Sequence, residues 1–185
     1  MKYQRSLCGK ITKGYLMKFV FRPLMEKNLG LVMSWLKEPH VKEFWDDGDN
    51  WEEIYKQYIL KISSDVVKQF VVYLDNEPVG FIQFYWAAKV GVGWWKDYPD
   101  DVIGIDLYIG DLNYIGNGFG TNMIKAFIKF LQSNYKFSKI ITDPSPDNKR
   151  AIRCYEKAGF VNQGQIVTPD GDALLMEYEL DDKAT

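Results

Sequence analysis

Apolar and polar positions along this chain follow two periods, one typical of strands and the other typical of helices. Apolar and β-branched runs bounded by turn residues predict strands in KFVFRPL, QFVVYLDNEPVGFIQFYWA, VIGIDLYIG, KIITDP and FVNQGQIVTPDGDALLMEYEL. Apolar residues three and four positions apart predict helices in MEKNLGLVMSWLKEP, HVKEFW, WEEIYKQYILKI and SPDNKRAIRCYEKAGF. Strands in both halves of the chain, with helices between them, predict a mixed sheet in one α/β domain.

Turn residues and the chain ends define the predicted domain. Asp75-Asn76 and Pro169-Asp170-Gly171 each lie between two strand-like runs and predict hairpin turns. Met17 stands just before the first predicted strand, so we expect residues 1–16 to be an N-terminal extension and residues 17–185 to form a single domain. The first residues do not resemble a secretory signal, and we find no apolar run long enough to span a membrane. We therefore expect a cytoplasmic protein that binds no membrane.

Composition narrows the classes of function. A net charge of −2 over 185 residues argues against general nucleic-acid binding, but it permits a locally acidic site for a cationic ligand. Two cysteines, Cys8 and Cys154, and the single histidine, His40, are too few for a disulfide framework or a zinc site, so we expect no metal. Cys154 falls in a predicted helix and is interpreted as a small buried apolar residue.

The stretch NYIGNGFGTNMIKAFIKFL carries the first candidate chemistry. Apolar residues at 119, 123, 124, 127, 128 and 131 form one helical stripe, and Gly116, Gly118 and Gly120 lie at the N-terminal end of that helix. The first N–H groups of a helix have no internal partner and carry partial positive charge, so glycines that admit a ligand make this end an anion site. The Lys-Ser/Thr of a P-loop is absent, and the spacing differs from the dinucleotide fingerprint. A glycine-rich turn without a ligand is the alternative.

The order of segments resembles the GNAT superfamily of acyl-CoA-dependent N-acetyltransferases. IGNGFG follows a strand and opens a helix, and ITDPSPDNKRAIRCYEKAGF comes next. The superfamily signature is Q/R-x-x-G-x-G/A, in which Gly118 and Gly120 match the glycines and Ile115 replaces the first polar residue. The resemblance implies an α/β (α+β) GNAT fold, with a mixed, mostly antiparallel sheet of about seven strands that splays in the middle, flanked by about four helices. It also implies acetyl-CoA as the acetyl donor, held by Leu107, Tyr108, Ile109, Ile115, Gly116, Asn117, Gly118, Phe119, Gly120, Thr121 and Asn148.

The same resemblance assigns a role to Tyr155 on the later helix. In the superfamily a tyrosine there lies near the thioester sulfur, where it can donate a proton to the departing thiolate. The alternative is that Tyr155 only packs on the buried face of its helix.

Longer blocks resemble one branch, the aminoglycoside 6′-N-acetyltransferases of the integron-borne resistance type. TDPSPDNKRAIRCYEKAGF, GWW followed by GID, NEPVGF and TPDG carry this likeness, which runs from about Phe19 to Tyr178. An aminoglycoside bears several ammonium groups, so its site needs carboxylates and aromatic walls. Asp106, in the middle of a strand, is the candidate to bind the reacting amine and help to remove its proton. Asp143, Asp170, Trp94, Tyr58 and Trp45 are the candidate substrate-binding residues, and Trp95 and Tyr85 are further aromatic candidates.

Each of these residues also has a purely structural interpretation. Asp106 would be an edge-strand residue facing solvent, Asp143 a cap for the following turn, and Asp170 a favoured turn residue. For single aromatic residues, core packing is the default. One departure concerns Val92, which stands where the resembled branch has an aspartate. A substrate-binding carboxylate is therefore missing unless Asp97, Asp100 or Asp101 substitutes.

We therefore predict an acetyl-CoA-dependent enzyme that acetylates the 6′-amino group of aminoglycosides by direct attack in a ternary complex, as a monomer or homodimer. One alternative is a GNAT enzyme acting on another amine, such as a siderophore-type lysine or a polyamine; the siderophore-type relatives tend to carry His in place of Asp106. The other is a non-catalytic domain that binds coenzyme A.

Overall fold

The structure is a computed structural model that describes residues 17–45, 48, 50–90 and 95–180. The predicted extension, residues 1–16, lies outside this part of the chain. Within it, seven strands form one sheet: β1 (Phe19–Pro23), β2 (Val67–Leu74), β3 (Glu77–Trp86), β4 (Val102–Ile109), β5 (Lys139–Thr142), β6 (Val161–Thr168) and β7 (Gly171–Glu179).

Five α-helices accompany the sheet in the described residues, one more than the resemblance implied. They are α1 (Glu26–Leu36), α2 (Pro39–Trp45), α3 (Trp51–Ile62), α4 (Phe119–Asn134) and α5 (Lys149–Ala158). None of the helices in the described part of the chain has the length and apolar character needed to cross a bilayer.

The sheet opens between β4 and β5. Its strand order is β1-β2-β3-β4-β5-β7-β6, and β4–β5 is the one parallel pair among the pairings found. These two strands pair over three positions, from Val102 opposite Lys139 to Gly104 opposite Ile141. Beyond Gly104, β4 continues to Ile109 while β5 ends at Thr142. The predicted splay in the middle of the sheet is therefore present.

Helices cover both faces of the sheet because strand residues alternate between them. One face carries Phe70, Ile82 and Ile105, which pack against the apolar stripe of α4 and the buried side of α5. The other carries Val71, Phe81 and Tyr108, which pack against α1, α2 and α3.

Local sequence explains where several elements begin and end. Asp75 and Asn76 both have positive φ, as the predicted tight hairpin between β2 and β3 requires. Asn50 caps α3, since its side chain accepts hydrogen bonds from the N–H groups of Glu52 and Glu53. Gly159, with φ 109°, ends α5 in the left-handed conformation that favours glycine. The buried residues of α4 include five of the six stripe positions and Gly120; Phe119 is half-buried.

Candidate active site

A cavity of about 1380 Å³ lies where β4 and β5 part. Its wall includes Asp106 to Ile109 of β4, the residues after β5, the start of α4, and side chains from α2, α3 and α5. It exceeds the volume of roughly 300–1,000 Å³ that holds one drug-sized molecule, so it has room for two reactants side by side.

The glycine turn forms one end of the cavity. Gly116, Asn117 and Gly118 have φ of 90°, 49° and 79°, all in the left-handed region. Gly118 is the N-cap of α4 and offers no side-chain cap to the helix. The N–H of Phe119 donates to the carbonyl of Gly116 at 3.1 Å, and the first helical hydrogen bond is donated by Asn122 to the carbonyl of Gly118, at 2.9 Å. The N–H groups of Gly120 and Thr121 therefore precede the first intrahelical bond. This end of the cavity suits an anion.

Not every residue of the glycine turn lines the cavity. Ile115, Gly116, Asn117, Gly118, Gly120 and Thr121 line the cavity, whereas Phe119 is absent from its wall and packs edge-on against Tyr114 at 5.2 Å. Gly120 has a second role, since a Cβ there would lie 3.1 Å from Sγ of Cys154 on α5. The close approach of α4 and α5 therefore depends on it. Cys154, predicted to be buried, is half-buried in this contact.

The unpaired side of β4 forms the middle of the cavity. Leu107, Tyr108 and Ile109 lie beyond the last pairing with β5 and all line the wall. The carbonyl of Ile109 is hydrogen-bonded by Nε2 of His40, at 2.9 Å. The histidine therefore fixes α2 against the end of β4.

Asn148 caps α5 at the edge of the cavity. Its Oδ1 accepts a hydrogen bond from the N–H of Ala151 at 3.0 Å. The residue lines the cavity, as a cofactor-binding residue would. Its position is explained first by helix capping, a role that the resemblance did not suggest.

Three carboxylates meet at the other end of the cavity. Asp106 comes from β4, Asp143 from the segment after β5, and Asp170 from the β6–β7 turn, and all three line the wall. Burial, followed by the negative charges of Asp106 and Asp170, raises the pKa of Asp143 to about 7. Carboxylates that repel one another in this way form a site for a cation.

Tyr155 lies across the gap from Asp106. Its side chain is 4% exposed and packs against Phe160, with ring centroids 5.2 Å apart. Burial raises its pKa, a hydrogen bond with the Thr142 side chain opposes that rise, and the charges of Asp106 and Asp143 add to it. The hydroxyl therefore keeps its proton at neutral pH. Tyr155 is a core residue that also lines the cavity, so core packing and the predicted role as a proton donor are compatible.

Tyr85 on β3 also reaches this end. Burial raises its pKa strongly, and the charges of Asp106 and Asp143 and the neighbouring Tyr155 add to the rise. A hydrogen bond with the Trp95 side chain opposes it. Tyr85 thus connects the carboxylates to Trp95, which is 4% exposed.

The remaining aromatic candidates differ in whether the structure describes them at the cavity. Trp45 and Tyr58 line the cavity, but their rings also pack against Phe81, at 6.0 and 5.4 Å, as part of the core. Trp94 and Val92 lie outside the described residues. Asp97, Asp100 and Asp101 are exposed and absent from the cavity wall, so within the described chain none of them replaces the carboxylate missing at Val92.

The sequence matches a known family over most of its length. The family model described as an acetyltransferase (GNAT) domain covers residues 25–168.

The chain belongs to the GNAT acetyltransferase family.

Among GNAT acetyltransferases, this chain is similar to the aminoglycoside N(6′)-acetyltransferase type 1 of Klebsiella pneumoniae. The two are 38% identical over 160 residues, which span 84% of this chain and 80% of that protein. A solved structure of AAC(6′)-Ib in complex with coenzyme A and kanamycin superimposes with a TM-score of 0.80 at 36% identity, covering 88% of this chain and 95% of that one. Another AAC(6′)-Ib structure, which contains acetyl-CoA, gives a TM-score of 0.81 at the same identity over 87% and 93% of the two chains.

Two polar residues at the cavity were not predicted from the sequence. Gln83 on β3 donates a hydrogen bond from Nε2 to Oδ2 of Asp106, at 2.8 Å. Thr142, 2% exposed, hydrogen-bonds with Tyr155. Both are ordinary strand residues in the sequence, and only strand register and the position of α5 bring them to the site.

Proposed function

We propose that the chain transfers the acetyl group of acetyl-CoA to the 6′-amino group of aminoglycoside antibiotics, and so confers resistance to them. The observation that carries this proposal is the meeting of Asp106, Asp143 and Asp170 with Tyr155 in the cavity that begins at the α4 N-terminus. An anion site at one end and a cation site at the other match a phosphorylated donor and a polycationic acceptor.

The donor end suits acetyl-CoA. The N–H groups of the glycine turn and of the first turn of α4 are placed to hold the pyrophosphate. The unpaired edge of β4, at Leu107 and Tyr108, is placed to hydrogen-bond the pantetheine arm. The AAC(6′)-Ib relatives solved with coenzyme A or acetyl-CoA support acetyl-CoA as the donor. Because acetyl-CoA is the donor, we propose that the enzyme works in the cytoplasm.

The acceptor end suits an aminoglycoside. Three carboxylates can pair with several ammonium groups, which a neutral or singly charged amine cannot supply. Similarity to an aminoglycoside N(6′)-acetyltransferase and to a structure with bound kanamycin supports this choice of acceptor. Because none of Asp97, Asp100 and Asp101 lines the cavity in place of the carboxylate missing at Val92, we propose that the range of accepted drugs differs from that of the relatives.

The reaction proceeds by direct attack. Asp106 binds the 6′-ammonium and accepts a proton from it, directly or through water, which leaves a neutral amine. The amine nitrogen attacks the thioester carbonyl carbon, and collapse of the tetrahedral intermediate breaks the C–S bond. Tyr155 protonates the departing thiolate of coenzyme A, and the proton still held by the acetylated nitrogen passes through water to restore the Tyr155 hydroxyl. The neutral amide and the thiol are released, and Asp106 returns its proton to solvent. Holding both reactants in one cavity supplies much of the acceleration.

A thiol-release assay tests this function. Acetyl-CoA is incubated with the enzyme and kanamycin, tobramycin or amikacin, and with spermine and lysine as amines outside the class. We expect turnover with the aminoglycosides and little with the other amines. Turnover with spermine or lysine but with no aminoglycoside would show that the acceptor is another kind of amine. Binding of acetyl-CoA without turnover of any amine would support a non-catalytic domain.

A further inference from the structure

Three polar side chains form a row across the centre of the sheet. Gln69 on β2 lies directly opposite Gln83 on β3, and Gln83 lies directly opposite Asp106 on β4. By strand alternation they share the face of Val71, Phe81 and Tyr108, whose apolar part packs against α1 to α3. Polar groups in such a place need one another as partners.

The hydrogen bonds along this row run in one direction. Nε2 of Gln83 donates to Oδ2 of Asp106 at 2.8 Å, and Nε2 of Gln69 donates to Oε1 of Gln83 at 3.4 Å. An ionised carboxylate only accepts, so Asp106 forces Gln83 to turn its NH₂ group toward β4 and its carbonyl oxygen toward β2. That oxygen in turn fixes the amide of Gln69.

This direction of the hydrogen bonds leaves a buried acceptor unsatisfied on Gln69, at the β2 end of the row. Gln69 is 5% exposed, and its Oε1 is buried without a hydrogen-bond partner among the described residues. Leaving a buried acceptor unsatisfied costs desolvation free energy, so an apolar residue at position 69 would serve the core better. The row is therefore better explained by what it does to Asp106 than by its effect on stability.

We propose that Gln83, oriented by Gln69, is a positioning residue that holds the Asp106 carboxylate in place for the reacting amine, an inference that rests on the proposed function. Restraining the Asp106 side chain before the acceptor binds lowers the conformational cost of each turnover. A charge-assisted hydrogen bond from a neighbouring strand fixes it beforehand. Gln83 itself lines the cavity, but its hydrogen bond is to the carboxylate.

The first test separates turnover from donor binding. Gln83→Met keeps a similar volume and removes the donor, and Gln132→Met makes the same exchange at an exposed position of α4 outside the cavity wall. We expect Gln83→Met to lower kcat with kanamycin about 10- to 100-fold, while KM for acetyl-CoA stays within about twofold. Gln69→Met should lower kcat in the same direction by less, and Gln132→Met should leave it unchanged.

A double-mutant cycle tests whether Gln83 acts through Asp106. Kanamycin affinity is measured by calorimetry in the presence of coenzyme A for the wild type, Gln83→Met, Asp106→Ala and the double variant. Gln83→Met should weaken binding severalfold in the wild type and have no further effect beside Asp106→Ala. An equal loss in both backgrounds, or a wild-type kcat in Gln83→Met, would overturn the inference.

The same variants also cover two other outcomes. If Gln83→Met does not fold, the kcat of Gln69→Met decides, and a wild-type value there would overturn the inference. If the wild type itself acetylates no aminoglycoside, the proposed function fails and this inference fails with it. That failure is seen in the wild-type control alone, so the two cannot be confused.

Discussion

The ring of Tyr85 lies across the backbone of Gly104. The two residues are opposite each other on β3 and β4, and a Cβ on Gly104 would overlap the ring and hydroxyl of Tyr85. Gly104 is also the last residue of β4 that pairs with β5. The glycine therefore lets an aromatic side chain enter the sheet at the point where the cavity opens, beside Asp106 and Asp143.

Gly104→Ala should destabilise the fold and damage the acceptor site together, because the methyl group would displace Tyr85. We expect a loss of about 1–3 kcal/mol in the free energy of unfolding, measured by denaturant titration, and weaker kanamycin binding. Gly30→Ala is the matched control. Gly30 lies in α1, and outside its own helix no atom of the described chain comes within 4 Å of the added methyl, so this change should stabilise the protein by about 0.5–1 kcal/mol. Equal stability of the two variants would contradict the packing role of Gly104.

Asp106→Asn should reduce kcat by at least about 100-fold, because the amine loses its proton acceptor. Acetyl-CoA binding, measured by calorimetry, should stay nearly unchanged, since we propose that the backbone of β4 and α4 holds the donor. Asp100→Asn changes an exposed carboxylate outside the cavity and should behave as wild type. Normal turnover in Asp106→Asn would refute the role given to this residue.

Tyr155→Phe should slow turnover by about 100-fold or more while changing kanamycin affinity little, because only the proton for the leaving thiolate is lost. Steady-state kinetics together with calorimetry separate the two effects. Tyr135→Phe removes a hydroxyl from another residue packed on the same core and serves as the control. If affinity fell as much as kcat, the hydroxyl would be an acceptor-binding group instead.

The Asp143 carboxyl should make stability depend on pH in a defined window. Its pKa is about 7 in the folded chain, raised by burial and by Asp106 and Asp170, against an ordinary value of 3.8. At pH values between these two pKa values the folded chain binds more protons at Asp143 than the unfolded chain does. The contribution of Asp143 to the free energy of unfolding therefore falls as pH rises. Asp143→Asn should therefore melt at a higher temperature than the wild type at pH 8, and the gain should vanish near pH 4.

Thermal melts of wild type and Asp143→Asn from pH 4 to 8 measure this difference directly. Asp172→Asn, at an exposed position of β7, should show no such trend. A constant difference across the range would mean that ionisation of Asp143 carries no cost in the folded chain.

Local patterns predicted the elements and the donor end of the site. The helical stripe of α4, the glycine turn before it and the hairpin at Asp75-Asn76 are encoded by neighbours in sequence, and the structure contains them all. The GNAT family and its fold, inferred from the order of these segments, are confirmed by the family match and the solved relatives. The carboxylate cluster required the resemblance as well, because its members come from three distant segments.

Long-range register explains what sequence reasoning missed. Gln83 reaches Asp106 only because β3 and β4 pair at that offset, and no local period marks it. Thr142 reaches Tyr155 through the packing of α5, and Asn148 turned out to cap α5. Phe119, predicted to bind the cofactor with its neighbours, packs against Tyr114 outside the cavity wall, and its part in cofactor binding stays a prediction.

The most direct test of the acceptor compares two drugs that differ only in the group at the 6′ position. Neomycin carries an amino group at the 6′ position, and paromomycin carries a hydroxyl group there. Thiol release from acetyl-CoA should be rapid with neomycin and absent with paromomycin if the 6′-amine is the nucleophile. Equal release with both drugs would contradict 6′-acetylation, and release with neither would contradict aminoglycosides as the acceptor class.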